Sequence, residues 1–318
     1  MKKLGLFFGI ALSILALYIA LSVYMNYRRE LAQDRVRLSE NSSVITTSLG
    51  PIEYAIAGQG EPVIVIHGAG GGYDQGLLLS EAWVGKDFQR IAVSRFGYLR
   101  SVMPSQPSYA LQADIIAELM DSLSIERAAI MGVSAGGPST IQFALRHPRR
   151  CRGIILVSAI IHEHPMISWY LNLTLDMLFN SDFLYWMLVS YFPSSFNTPF
   201  GIPADVQAAL TPAQRDSISY FLHSVLPVSM RRNGVAADRK VDDLTFPPEE
   251  LQSSVLVIHA EDDNIVPYAN AEYAIEKFPR VQSLTLKTGG HLLIGQYHRV
   301  RQTVNWFLVK HIATSDEQ

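Results

Sequence analysis

Ala128-Ala129-Ile130-Met131-Gly132-Val133-Ser134-Ala135-Gly136-Gly137 is the stretch that decides how the rest of this chain reads. The apolar run up to Met131 has the length and composition of a buried strand, and Gln142-Phe143-Ala144-Leu145 belongs to a helix beyond it. Between them, Gly132-Val133-Ser134-Ala135-Gly136 fits a G-x-S-x-G turn, in which a sharp bend strains the Ser backbone and small neighbours avoid clashes. The helix that follows points its N-terminus, with its partial positive charge, at the centre where Ser134 would react. Five such residues recur by chance, so the strand before and the helix after carry the meaning.

Working outward, short β-branched runs alternate with helical periods from about Val44, the pattern of a mostly parallel α/β sheet with helices on both faces. Val44–Thr47 and Ile52–Ile56, separated by Gly50-Pro51, read as a hairpin. Val63–Ile66, Ile91–Val93, Ile154–Val157, Val255–Ile258 and Ser283–Leu286 read as strands. Leu111, Ile115, Leu119 and Leu123 recur at helical spacing, and a last helix is predicted from about Leu292 to Val309. The stretch from His162 to Leu251 breaks the rhythm. It is rich in aromatics, as in Trp169-Tyr170 and Phe183-Leu184-Tyr185-Trp186, and about 90 residues are too many for a simple connection. An inserted helical cap over 162–251 is expected, on a core of 44–161 and 252–318; its aromatics either pack it onto the sheet or face a substrate.

A Ser hydroxyl is a weak nucleophile until a base accepts its proton, and the base needs a third group to fix its tautomer. Of nine histidines, His291 in Thr288-Gly289-Gly290-His291 is the natural base, on a glycine loop just after the last strand. His259 closes a strand and reads as a buried structural residue. The acid should follow the preceding strand, where Glu261-Asp262-Asp263 offers Asp263 first and Asp262 as the alternative. Oxyanion donors are expected from the Ala135 N–H and from His67-Gly68-Ala69-Gly70-Gly71-Gly72, with Ala69 ahead of Gly70. That loop lacks a following Lys-Ser/Thr and the G-x-G-x-x-G fingerprint, which argues against nucleotide binding.

With 26 Lys plus Arg against 29 Asp plus Glu, the chain has no basic field for nucleic acid. A single cysteine, Cys151, rules out an internal disulfide and makes a Cys-based zinc site implausible. Leu4–Met25 is a run of 22 residues without a charge. At ~1.5 Å per residue it matches a hydrocarbon core of ~30 Å. Residues 1–27 are expected to be a single-pass transmembrane anchor and 28–43 a juxtamembrane helix or linker. The rival is a cleaved signal peptide, although the nearest small-x-small triplet, Ala20-Leu21-Ser22, lies inside the apolar run. Lys2 and Lys3 before the span and Arg28, Arg29, Arg35 and Arg37 after it do not decide the orientation. A short N-terminal tail usually stays in the cytoplasm, which would leave the folded domain outside it. Deleting Met1 to Asn41 is expected to give a soluble and active protein.

Taken together, His67-Gly68, the Ser134 turn, Asp263-x-x-Val266-Pro267 and Gly290-His291 resemble the α/β-hydrolase family. The resemblance is to its cap-bearing branch of esterases, C–C bond hydrolases and non-haem haloperoxidase-like enzymes, and it spans about Ile52 to Val309. It implies the α/β-hydrolase fold, a Ser134–His291–Asp263 triad, and neither metal nor organic cofactor. In that family the acid stands four residues before such a Pro, which favours Asp263. Epoxide hydrolases and haloalkane dehalogenases fit less well, because their nucleophile is Asp where this chain has Ser134. One departure is Ser94-Arg95-Phe96-Gly97-Tyr98, where many relatives have Asp-x-x-G-x-G. That loop borders the pocket, so Phe96 is a candidate lining residue beside Trp169 and Arg231 of the cap; Arg231 or Arg232 would either meet an acidic substrate group or form a solvated surface pair. The expectation is a serine hydrolase of a lipophilic carboxylic ester. The alternatives are C–C cleavage of a diketone and a non-catalytic ligand-binding module on the same fold.

Overall fold

A computed structural model describes residues 2–163, 169–240 and 244–313; for 2–5, 169–172 and 312–313 it describes the backbone alone. The chain opens with one helix, α1 (Lys2–Glu40), followed by strands β1 (Ser43–Thr47), β2 (Gly50–Ala57) and β3 (Glu61–Ile66). Helix α2 (Tyr73–Trp83), β4 (Phe88–Val93), α3 (Tyr109–Ser122), β5 (Ala128–Val133), α4 (Gly137–Arg146) and β6 (Cys151–Val157) alternate from there. Five helices then leave the sheet: α5 (Trp169–Phe179), α6 (Asp182–Tyr191), α7 (Ala204–Ala209), α8 (Pro212–Ser224) and α9 (Arg232–Asp238). The chain returns with β7 (Val255–Ala260), α10 (Ala269–Lys277), β8 (Val281–Leu286) and α11 (Tyr297–Ala313).

The strands form one sheet in the order β1-β2-β4-β3-β5-β6-β7-β8. The β1/β2 and β2/β4 pairs are antiparallel and every later pair is parallel. Side chains alternate across a strand. Ile64 and Ile66 of β3 therefore pack on one face with Ile116 of α3 and Ile141 and Phe143 of α4. Val63 and Val65 pack on the other, with Trp83 of α2 and Phe307 of α11. Central strands buried on both faces read as unbroken apolar runs, and each such aliphatic side chain contributes ~1.5–3 kcal/mol by burial. The last helix begins at Tyr297 rather than near Leu292, because Leu293 and Gly295 take positive φ (52° and 79°) and turn the chain first.

The cap helices hold a core of their own, with Tyr185, Trp186 and Val189 of α6 against Ile218 and Leu222 of α8. Of the two expectations for 28–43, a helix or a linker, the helix holds: α1 runs unbroken to Glu40, and its C-terminal half is built into the domain. Leu31 and Leu38, seven residues apart and so on one face of the helix, are buried. Trp186 Nε1 donates to Glu30 Oε2 at 2.6 Å, and Tyr73 Oη donates to the Leu38 carbonyl at 2.8 Å. The N-terminal half is long and apolar enough to cross a membrane, and none of its apolar window is buried.

Candidate active site

Ser134 directly follows β5 with φ +52°, a left-handed conformation that a non-glycine residue adopts only under constraint. The constraint is local. A Cβ on Gly136 would strike the Ile66 carbonyl oxygen, so only glycine lets the turn pass this close to β3. On the opposite side, a Cβ on Gly68 would stand 2.9 Å from Ser134 Cβ. Gly68 thus has a steric role that the sequence reading left to its neighbours.

His291 is presented by the loop after β8, where the Asp262 carboxylate accepts the N–H groups of Gly289 (3.1 Å) and Gly290 (2.9 Å) and the Thr288 hydroxyl (2.7 Å). From the cap, the Gly201 carbonyl accepts the His291 N–H at 2.9 Å. His291 Nδ1 lies 2.8 Å from Asp263 Oδ2 and Nε2 lies 3.0 Å from Ser134 Oγ. A carboxylate only accepts, so Nδ1 carries the proton and Nε2 is left to receive the one on Ser134. Of the two candidate acids, Asp263 therefore faces the imidazole, while Asp262 shapes the loop that carries it.

Asp263 has no exposed side-chain surface. Burial by itself would raise its pKa, but the His291 charge and the hydrogen bonds from His259 and His291 outweigh it and hold the carboxyl well below the usual carboxylate range. Oδ1 accepts the N–H groups of Ile265 (2.9 Å) and Val266 (3.0 Å). His259 is more than a buried filler: its Nε2 faces Asp263 Oδ2 at 3.1 Å and the Val266 carbonyl at 3.0 Å. Two acceptors on one nitrogen mean that Nε2 carries the proton, a role that the four-residue spacing from His259 to Asp263 was the only sequence signal for.

Ala135 occupies the turn directly after Ser134, as expected. In the glycine loop Gly70, the second of the two expected donors, directs its N–H at Tyr98 Oη (3.3 Å). The loop is braced by His67, whose Nδ1 donates to the Gly68 carbonyl (2.6 Å) and whose Nε2 accepts the Arg95 N–H (3.0 Å). Burial first, then the Arg95 charge, push its pKa well below that of a free imidazole, so His67 is neutral. A histidine held neutral in the fold contributes stability that is present above its unfolded pKa of ~6.5 and is lost as the pH falls below it. Denaturation midpoints measured from neutral to mildly acidic pH should fall with a slope approaching one proton in the wild type, and that component should vanish in His67→Gln.

The pocket candidates fare differently. Phe96 is buried in the core cluster of α3 and donates its N–H to Gln112 Oε1 (2.8 Å); it is a core residue, not a lining one. Its neighbour Arg95 forms a two-pronged pair with Asp238 of the cap (2.6 and 2.7 Å), and Tyr98 Oη donates to the same carboxylate. The departure from the family pattern thus serves as a cap-to-core tie. Arg231 is neither a substrate contact nor a surface residue. It is fully buried, and its guanidinium pairs with Asp74 (3.1 and 2.9 Å) and reaches the carbonyls of Gly71 (2.7 Å) and Ser224 (2.8 Å). Removing one partner of a buried pair strands the other, so Arg231→Ala should cost about 3–5 kcal/mol in urea denaturation. Arg232 is exposed. The Trp169 side chain lies outside the described residues. In its place Phe179 approaches the glycine loop, and Ala135, Ile160 and Val266 form an apolar cluster joined by Leu244 and Ile265. Among the described residues no cluster of His, Cys, Asp and Glu is arranged to hold a metal.

The chain is 34% identical to the uncharacterized hydrolase YcgS of Bacillus subtilis over 119 residues, 37% of this chain and 42% of that one. It is 33% identical to a 2-hydroxy-6-oxo-6-phenylhexa-2,4-dienoate hydrolase of Comamonas testosteroni over 111 residues, 33% of this chain. The chain therefore matches 42% and 39% of the lengths of these two relatives. Among solved structures, a membrane phospholipase A described as a bacterial virulence factor superposes with a TM-score of 0.63 at 18% identity, covering 98% of this chain and 99% of that one. The family model described as alpha/beta hydrolase fold matches residues 61–296, well over half of the chain, and with its eight-stranded sheet and Ser134 turn this protein belongs to the alpha/beta hydrolase family.

Proposed function

We propose that this protein is a serine hydrolase that cleaves carboxylic esters bearing an apolar group by acyl transfer, working at a membrane surface. The observation that carries the reading is the continuous path from Ser134 Oγ through both nitrogens of His291 to the buried Asp263 carboxylate. In this mechanism Ser134 attacks the carbonyl carbon as His291 Nε2 takes its proton, and the same nitrogen returns it to the leaving alkoxide. Asp263 fixes the tautomer and stabilises the imidazolium. The N–H groups of Ala135 and Ala69 receive the oxyanion, and a water activated by His291 then releases the acid. The apolar side chains of Ile160, packed with Ala135, and of Phe179, beside the glycine loop, suit an acyl or alcohol chain.

The reading of α1 as a retained anchor is supported by its uncharged length and by the docking of its second half on the cap; a catalytic domain outside the cytoplasm is part of the same proposal. The membrane phospholipase A similarity extends over α1 as well as the domain. A C–C hydrolase is the second reading, favoured by the Comamonas testosteroni relative. Side-by-side kcat/KM values on an ester panel and on 2-hydroxy-6-oxo-6-phenylhexa-2,4-dienoate separate the two. The ester reading expects the esters to lead, and a preference for the dienoate by orders of magnitude would overturn it. A fluorophosphonate that leaves Ser134 unlabelled would point instead to a binding module.

A further inference from the structure

We infer that the cap makes a second membrane contact of its own: an aromatic corner at Tyr191 and Phe192 that seats at the headgroup boundary of a phospholipid bilayer, beside α1. The inference rests on the reading of α1 as an anchor. Tyr191 ends α6 and Phe192 follows it, with 51% and 55% of their surface exposed, a large apolar outlay for a soluble face. Contacts between α6 and α1 show where that end lies. Asp182, at the start of α6, faces Arg35 at 3.9 Å. One turn on, Trp186 bonds Glu30 and packs its ring 5.6 Å from Tyr27. Helix α6 thus climbs towards the apolar end of α1 as it proceeds. From Trp186 to Phe192 is a further ~9 Å at the helical rise, and from Glu30 to Met25, where the uncharged run ends, is ~7.5 Å. The corner therefore reaches the level at which α1 would enter the bilayer. Val23, inside the uncharged run, is itself half-buried against the cap core, which places cap atoms at that depth.

From Phe183 to Ala204 the cap contains no Lys, Arg, Asp or Glu. Arg215, near the start of α8, lines a groove with Pro193 and Ser194 and so stands beside the corner, where a cation suits anionic headgroups, while Tyr220 of the same helix lies near Arg37 at the opposite end of the docked half of α1. The rings form a chain from the anchor outward: Tyr27 to Trp186, then Trp186 to Tyr191 edge-on at 5.8 Å. Aromatic rings with a polar edge are the side chains that favour the interface between water and lipid. A single helix leaves the domain free to rotate about its axis. A second contact fixes that rotation and holds one side of the cap against the lipid from which an apolar ester would come.

The test uses full-length protein in vesicles of phosphatidylethanolamine and phosphatidylglycerol, with a nitroxide placed by Phe192→Cys, Leu12→Cys or Tyr220→Cys. Cys151 does not compete for label, since it is buried and its thiol is pushed up to about 11 by burial. Collision rates with oxygen and with a water-soluble nickel chelate should place Leu12→Cys in the acyl chains, Phe192→Cys at the headgroup boundary and Tyr220→Cys in water. Phe192→Cys as wet as Tyr220→Cys, with Leu12→Cys in lipid, overturns the contact and spares the anchor. Leu12→Cys in water overturns both. Spin–spin broadening at Phe192→Cys without lipid contact assigns the corner to a second copy of the chain and also overturns the proposal. In parallel, Tyr191→Ser with Phe192→Ser should lower kcat/KM about tenfold on an ester carried in vesicles while leaving a short soluble ester unchanged. An equal loss on both substrates would count against it.

Discussion

Ser134→Ala is expected to lower kcat on p-nitrophenyl esters by about 10⁴–10⁶-fold while the thermal midpoint barely moves. The substitution deletes one oxygen. It leaves the Cβ against Gly68, the backbone at φ +52° and the His291–Asp263 pair as they were. What disappears is the only atom able to form the acyl intermediate, and with it the fluorophosphonate label. His291→Ala should cost nearly as much, because without Nε2 the Ser134 proton has no acceptor. Combining the two should cost little more than either alone, since groups that act as a unit are not additive. Asp263→Asn should be the milder loss among the three, because the amide keeps the place of the carboxylate but no longer balances the imidazolium. With its pKa held well below the usual range, Asp263 stays ionised through mildly acidic pH. The stability it supplies is present above the unfolded carboxylate value of ~3.9 and is lost only as pH falls through the depressed one, so it cannot be the group whose protonation ends activity near neutrality. Full turnover by the Ser134→Ala protein would sink the acyl-transfer mechanism outright.

Which parts were legible in the sequence follows from range. Ser134 could be read because its strand, turn and helix are contiguous, and His291 because a glycine loop follows the last strand. Local pattern could rank Asp263 and Asp262 but not assign their separate tasks: successive residues face different ways, and it took the fold to put one against His291 Nδ1 and the other under the Gly289 and Gly290 amides. The sequence places Ala69 ahead of Gly70 as a donor but gives no sign that Tyr98, 28 residues on, occupies the Gly70 N–H. The place of Arg231 is hidden from the sequence for the same cause at greater distance. Its partner Asp74 is 157 residues away, and an arginine next to another arginine gives no sign that it will be buried. The long uncharged run was plain, whereas the docked half of α1 was masked by Arg28, Arg29, Glu30 and Asp34, which drew attention from Leu31 and Leu38 between and beyond them.

That masked half leads to the second large effect, a contrast between two truncations. Removing residues 1–22 should leave a folded, active domain, because none of the described side chains from 6 to 22 is buried. Removing 1–41, which the sequence alone makes look equally harmless, should not. It takes away Leu31 and Leu38, each contributing ~1.5–3 kcal/mol by burial. It also leaves Trp186 Nε1 without Glu30 and Tyr73 Oη without the Leu38 carbonyl, at ~1–3 kcal/mol for each buried group left unpaired. Arg37 goes too, and with it the second cation beside Asp74 at 3.7 Å, the carboxylate that holds Arg231 and through it the Gly71 carbonyl of the oxyanion loop. The sum is comparable to the whole ~5–15 kcal/mol stability of an ordinary domain. The longer truncation should therefore aggregate on expression or melt roughly 10–20 °C lower than the shorter one. Any soluble fraction should lose kcat/KM on short esters, because the disturbed helix braces both the cap and the loop that receives the oxyanion. Melting curves and ester kinetics on the two truncations decide the matter. Equal midpoints and equal activity would mean that residues 23–41 are a passive spacer, and that α1 contributes nothing to the enzyme beyond its attachment.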